Sequence, residues 1–465
     1  MTRKVCSPSV YSMFLLFWLL FKVLGLATAS LRSGDSKSKQ SARLSFATRP
    51  LGTIYNVLLC CAILVSSLFS IPALYIYEYA NKSSTTTVIE KIQGISGYLM
   101  ILGILLYYCV NQPTIKSIGN CLIRVEGKLR LLRYSIDHKR IVWILTIVYV
   151  LHIVLFFVTL VTQHVAFLDN PLIWFTDVFP TTLANWLLIQ YFSVISLMKM
   201  NFVCANHVLR NLCSSSHAAD SYAKYLCRSR RVFVNSSTIQ SLLQLRNIYD
   251  DLFDVSKEIS DFYSLPILIG IPFLFYTLLY NFYYLLQPLI IDHESLELLS
   301  FVNTVIWIMF LIYPIGLLTV EVTNLLNEVE KIGILVHSLL KCAINGETKS
   351  ELKQFSLQLL HRKIKFTSYG YFSLDNSMFL SMLGSMSAYL IILLQFQLGS
   401  SVNSCNCTES EATLENETLA TGVSLREVAR YESGNDAGYS DEISAGSFST
   451  RTSFHLTPLS FSYSP

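Results

Sequence analysis

Two groups of polar residues interrupt long apolar runs, and each implies a chemistry. The first is Gln395-Phe396, where the last apolar run closes as "AYLIILLQFQ". Counting back along a helix from Gln395, the residues Ile392, Ala388, Ser385 and Ser381 share one face at intervals of 3, 4, 3 and 4. That stripe is small and mildly polar. It suits a close helix–helix contact, which small residues favour, or the lining of a water-filled path shared by several copies of the chain. In the second case a ring of Gln395 amides would coordinate hydrated cations, and Phe396 would close the path by dewetting. The plainer reading sets both residues among lipid headgroups.

The second group is spread over several segments. It comprises Gln163 and His164, then Trp174, Asp177, Thr181, Thr182, Asn185 and Trp186. Tyr276, Tyr280, Asn281, Tyr283, Tyr284 and Gln287 follow, then Asn303, Thr304 and Trp307. Aromatic faces, amides and a carboxylate at one membrane level are what a small polar organic ligand needs. Trp307, Asn303, Thr304, Trp186, Asp177, Tyr280 and Gln163 are the candidate ligand contacts. The competing reading is an interfacial aromatic belt, which membrane proteins carry whatever their function.

Enzymatic signatures do not appear. The chain has no HExxH, no GxSxG and no phosphate-binding loop, and its nine His form no ligand-like cluster. His361-Arg362-Lys363 reads as a solvated or lipid-facing basic patch. No catalysis, metal, cofactor or nucleic-acid partner is expected. The eleven Cys are scattered without CxxC spacing, which argues against a disulfide framework.

These residues need elements to hold them, and the composition says which. Of 465 residues, 52% are hydrophobic and 14% charged, where a soluble protein carries about 25% charged residues. Seven apolar runs are long enough to cross a bilayer as helices: 53–79, 93–111, 141–163, 172–198, 264–287, 298–320 and 377–399. Alternate connecting segments hold 30 Lys and Arg against 5 in the others. The basic side is cytosolic by the usual rule, so the N-terminus is expected inside and the C-terminus outside. The sequons at Asn81, Asn406 and Asn416 fall on the expected outer side, while that at Asn235 falls inside.

Three domains follow: a cytosolic segment 1–50, a channel domain 51–400 and a tail 401–465. The tail carries nine acidic residues against three Arg and is expected to be disordered. Residues 10–29 read as a cytosolic or interfacial helix; a signal peptide ending at Ala27-Thr28-Ala29 and an extra span are the alternatives. The cytosolic connections contain helical seams. Leu245, Ile248, Leu252, Val255 and Ile259 form one, and Leu325, Val329, Ile332, Val336 and Leu339 another. Leu352, Phe355 and Leu359 repeat the pattern briefly. The seams could pack within one subunit or build a bundle that also joins subunits.

The stretch "LKQFSLQLLHRKIKFTSYGYFSLDNSMFLSMLGSMSAYLIILLQFQ" resembles the C-terminal signature of insect gustatory receptors. That family ends its seventh span with Thr-Tyr, five apolar residues and Gln-Phe; here Ala388-Tyr389, Leu390 to Leu394 and Gln395-Phe396 stand in those places. Phe355-Ser356-Leu357-Gln358, Gly370, Phe372 and Leu374-Asp375 also fit. "LLFKVLGLATASLR" is similar to the family's N-terminal lead-in. The resemblance implies an all-α membrane protein with seven transmembrane helices and cytosolic helix extensions. It implies a ligand-gated cation channel of the plasma membrane, assembled as a homotetramer or with related receptors. The gate would fall at Gln395 and Phe396, beside Ile392, Ala388 and Tyr389, and Trp307 in an outer pocket for a small-molecule tastant.

Three departures stand out. The family's Thr is Ala388, which removes a hydroxyl. More than sixty residues follow Gln-Phe. Leu390 replaces the acidic residue common in sugar receptors, which points to bitter or broadly tuned ligands; a fructose-type sugar receptor is the alternative. A seven-helix G-protein-coupled receptor would need the opposite orientation, and a secondary transporter would need internal repeats.

Overall fold

The computed structural model describes residues 8–33, 44–76, 84–132, 138–167, 176, 178–225, 236–290, 298–342 and 346–395. The expected tail 401–465 lies outside them. The described helices are α1 (Pro8–Val23), α2 (Pro50–Ile76), α3 (Ser84–Val110), α4 (Gln112–Leu131) and α5 (His138–Phe167). They continue with α6 (Val178–Tyr225), α7 (Ser236–Ile290), α8 (Leu298–Cys342), α9 (Gly346–His361) and α10 (Asn376–Gln395).

Seven of them, α2, α3, α5, α6, α7, α8 and α10, are long and apolar enough to cross a membrane. Each of the seven apolar runs of the sequence matches one of these helices over its described residues, apart from Asn111 and Thr176; 77–79, 172–175, 177 and 396–399 lie outside the described residues. The protein is an all-α, multi-pass membrane protein.

Length decides what lies beyond the bilayer. The 55 residues of α7 extend about 80 Å at about 1.5 Å per residue, whereas the hydrocarbon core is about 30 Å thick. The excess carries the first seam, in which Leu245, Ile248, Leu252, Val255 and Ile259 are all buried. Leu325, Ile332, Val336, Leu352 and Phe355 are buried with it. The first two seams therefore continue the membrane helices α7 and α8 without a break, the third lies on the separate α9, and their buried residues pack within one chain.

Polar contacts fix their register. Arg246 of α7 donates to Glu351 (3.1 Å), Gln354 (3.2 Å) and Gln358 (2.9 Å) of α9. Arg362 reaches Asp254 at 2.9 Å.

One element was not anticipated. The charged connection after the second span contains α4, which packs against α7 and pairs Lys128 with Asp251. Its apolar stripe is sparse, Ile118, Val125 and Leu129, and all three are buried.

The segment after α1 is built into the interior. Leu26, Ala27, Thr28 and Ala29 are all buried. Asn56 donates to the Gly25 carbonyl (2.7 Å), Gln112 to that of Thr28 (2.8 Å) and Gln190 to that of Leu26 (2.7 Å). Gly25 is required there twice over. Its φ is +79°, and a Cβ would lie 2.6 Å from the Leu105 side chain. Removal of this segment as a signal peptide would strip these contacts from the core. It leads into a two-stranded ribbon, β1 (Ser30–Ser33) antiparallel to β2 (Leu44–Ala47), held to α4 by Asn120 on both backbone groups of Phe46.

A second small hairpin, β3 (Thr367–Ser368) with β4 (Phe372–Ser373), leads into α10. Its turn places Tyr369 at φ +48° and Gly370 at +80°. Ser264 of α7 donates to the Thr367 carbonyl (3.0 Å), and Ser368 returns a bond to the Ser264 carbonyl (2.8 Å). Leu374 is buried, and Asp375 caps α10 by accepting from the Ser377 and Met378 amides (3.0 and 3.2 Å).

Candidate functional site

Helices α5, α6 and α8 lie against one another and carry most of the intramembrane polar residues. Near the C-terminal end of α5, three sequence candidates come together. Asn303 Nδ2 and Trp307 Nε1 both donate to Gln163 Oε1, each at 2.9 Å. Thr162 Oγ1 donates to Asn303 Oδ1 at 2.8 Å. Trp307 is buried against Val178 and Phe310, with Leu155, Phe156 and Leu160 around it. Thr304, the residue after Asn303, is buried, and its hydroxyl bonds back to the Ser300 carbonyl at 2.8 Å.

The other candidates are distributed differently. Trp186 lies deeper, its ring 4.5 Å from that of His152 and 5.9 Å from that of Tyr149. His152 stacks on Phe310 at 5.1 Å, and Phe310 meets Trp307 edge-on at 6.0 Å. One aromatic ladder thus connects Trp186 to Trp307. Tyr280 sits apart, donating to Glu90 of α3 at 3.0 Å. Asp177 and Trp174 lie outside the described residues.

His152 is the residue that sequence reasoning overlooked. It is fully buried, and the available signal was its position as an ionisable side chain within an apolar span.

A proline makes the centre of this region unusual. Pro314 lies inside α8 and has no N–H, so the carbonyl four residues earlier, on Phe310, loses its helical donor. Asn185 Nδ2 supplies a replacement at 3.2 Å. The side chain that caps the break comes from α6, and the residue capped is the ring that stacks on His152. Two residues beyond the break, Gly316 faces Phe379 of α10. Farther along α8, Thr323 Oγ1 accepts the Asn376 amide at the start of α10 (3.2 Å). Phe275 of α7 touches Tyr389 edge-on at 6.2 Å.

Beyond the aromatic ladder, the interior carries a charge pair. Glu321 of α8 accepts from Ser196 and Lys199 of α6, each at 2.6 Å.

Helix α10 is the odd member. Ser381, Ser385, Ala388, Ile392 and Gln395 are all exposed along one face, while Met382 and Met386 on the other are buried. Tyr389 is exposed beside the stripe. Phe396 lies outside the described residues.

The 7tm Chemosensory receptor family profile matches residues 14–400. The chain belongs to that family. This chemosensory receptor is similar to gustatory receptor 28a of Drosophila melanogaster, 24% identical over 414 residues, which cover 81% of this chain and 89% of that one. Its similarity to gustatory receptor 28b of the same fly is 28% over 249 residues, covering 48% of this chain; the match spans about half, 51%, of that relative's length.

Among solved structures, the insect olfactory receptor OR5 of Machilis hrabei superposes with a TM-score of 0.59 at 13% identity, covering 83% of this chain and 98% of that one. The same receptor in complex with eugenol gives 0.55. The receptor fold is thus shared with OR5 at an identity too low to carry its chemistry across.

Proposed function

We propose that this receptor is a tastant-gated, non-selective cation channel of the plasma membrane, tuned to bitter or varied ligands. The observation that carries the proposal is the face of α10. A stripe of two serines, an alanine, an isoleucine and a glutamine is left uncovered by its own chain. Serine and glutamine are poor lipid contacts. Four copies related by a rotation axis would turn the stripes toward one another around a shared aqueous path. Gln395 and Phe396 would then ring its narrowest part, with Ile392, Ala388 and Tyr389 around them. The basic connections would face the cytosol and the Trp307 cluster the exterior.

A tastant acts by binding one arrangement of α5, α6 and α8 better than the other. The route to α10 is short. The broken turn at Pro314 separates the Phe310 ring from Gly316 and Thr323, which hold the first turns of α10. A change in how Asn185 and His152 grip Phe310 alters the bend of α8 and so the seat of α10. The C-terminal extensions of α8 and the α9 helix supply contacts between subunits, as well as packing within each.

The test is electrical. Cells expressing this chain alone should pass cation current on application of a ligand from a panel of plant alkaloids, phenolics and sugars. The Gln395→Ala, Phe396→Ala double substitution should change selectivity or leave the path open without ligand. Wild-type currents from that variant would remove the proposed gate. A response confined to fructose would favour the sugar-receptor alternative.

A further inference from the structure

Four side chains next to the aromatic ladder bury polar atoms that have no partner among the described residues. They are both ring nitrogens of His152, the hydroxyls of Thr181 and Thr182, and Oδ1 of Asn185. His152, Thr181 and Asn185 are each 0% exposed, and Thr182 is 7% exposed. Buried polar groups are almost always hydrogen-bonded, since an unmade bond inside protein costs more than a made one returns.

These groups are neighbours by construction. Thr181 lies one helical turn from Asn185, and Thr182 one turn from Trp186, whose ring meets His152 at 4.5 Å. Asn185 and His152 both engage Phe310.

The set has a definite chemistry. A neutral imidazole offers one N–H donor and one lone pair, an amide oxygen accepts, and each hydroxyl does either. The walls are flat rings: Trp186, Phe310, Tyr149 and Trp307. No Asp, Glu, Lys or Arg occurs in 141–167, 178–198 or 298–320, so the three helices present no charge at this depth. A protonated amine would leave water here and gain no counter-ion.

We infer that His152, Asn185, Thr181 and Thr182 form the recognition site for an uncharged, ring-bearing ligand with a hydroxyl group, of the phenol class. The ring slides into the aromatic ladder, and the hydroxyl donates to Asn185 Oδ1 while accepting from the imidazole N–H or from the Thr181 hydroxyl one turn away from Asn185. In taking Asn185 Oδ1 it leaves Nδ2 on the Phe310 carbonyl, so the ligand holds the same side chain that caps the break at Pro314. This inference rests on the receptor reading above and names its ligand class.

The experiment uses full-length protein and a series of para-alkylphenols with their methyl ethers, which keep the ring and lose the O–H. Binding is read as ligand-induced thermal stabilisation of purified protein, and gating as current in cells. Wild-type protein should bind each phenol about tenfold more tightly than its ether, the ratio expected for one buried hydrogen bond. Thr181→Val and His152→Phe should shrink that ratio towards unity, and His152→Gln, which keeps a donor and an acceptor, should restore part of it. Because His152→Phe can impair folding, Thr181→Val, which is nearly isosteric, carries the test alone if necessary.

Equal affinity for phenol and ether overturns the inference, as does tighter binding of quinine or fructose than of every phenol. An unchanged ratio in both variants also overturns it, leaving the orphaned groups to ordered water. Phenol binding with the expected ratio but no current upholds this site and removes the channel reading. Phenol-evoked current with no preference over the ether does the reverse.

Discussion

Helices α6 and α10 are both apolar enough to span a membrane, yet 72% of the α6 span is buried within the chain against 11% of the α10 span. Both carry polar residues at helical spacing. Those of α6 are absorbed inside the subunit: Asn185 on the Phe310 carbonyl, Ser193 on Tyr149 (2.8 Å), Ser196 and Lys199 on Glu321. Those of α10 lie on its uncovered face. Sequence alone does not separate the two cases, because the same residue types at the same spacing serve both. The difference teaches where each activity resides under the proposed reading. Recognition belongs to one chain, whereas conduction needs several.

Substitutions can break that contrast, and four are ranked by their expected cost to a single chain. Glu321→Ala strips Lys199 and Ser196 of a shared acceptor and leaves a partly buried ammonium. It should cost about 3 kcal/mol, at the low end for a broken buried pair because Lys199 keeps some solvent. It should appear as a clear fall in the melting temperature of purified protein.

Asn185→Leu should cost about 2 kcal/mol by orphaning a carbonyl that has already lost its helical donor. Adding Pro314→Ala, which returns an N–H to that carbonyl, should recover much of the loss. Strict additivity of the two changes would deny that Asn185 caps the break.

Asp375→Ala removes the α10 cap and should cost about 1 kcal/mol. The hydrogen bond from Ser377 and those from neighbouring groups hold the Asp375 carboxyl below its ordinary value of 3.8. Its contribution is therefore complete above that pH and fades as pH falls through the lower folded value. Melting curves of wild type and Asp375→Ala should converge in strong acid and differ at neutral pH.

The smallest effect is the most telling. Ser385→Leu, on the exposed face of α10, should leave the melting temperature of a separated subunit within error while abolishing ligand-evoked current. A marked loss of subunit stability would show that the stripe is covered by its own chain after all.

Much of the architecture was legible from residues alone. The spans announce themselves because seven long apolar runs have no other economical home, and the seams because Leu245 to Ile259 repeat at heptad spacing. The signature residues Phe355, Gln358, Gly370, Leu374 and Asp375 prove to be structural. They pack and bond the α7–α9 contact, form the turn of a hairpin and cap a helix.

Helix α4 was hidden because Arg124, Glu126, Lys128 and Arg130 sit among its three buried apolar positions, so its average character is that of a loop. His152 was hidden for the opposite reason, as one polar residue diluted by a long apolar run. The grouping of Trp307, Asn303 and Gln163 could be guessed from a common depth. The separate placement of Tyr280 could not, because depth says nothing about which side of a helix bundle a residue faces.

The bond from Gln190 to the Leu26 carbonyl joins residues 164 positions apart. Until the helix bearing Gln190 has emerged from the ribosome, the backbone around Leu26 has no interior to enter. The start of the polypeptide therefore has to wait while four later spans are inserted, and only then can it be threaded home. A truncation ending before that helix should leave the N-terminal region open to protease, and extension past it should close that window in a single step.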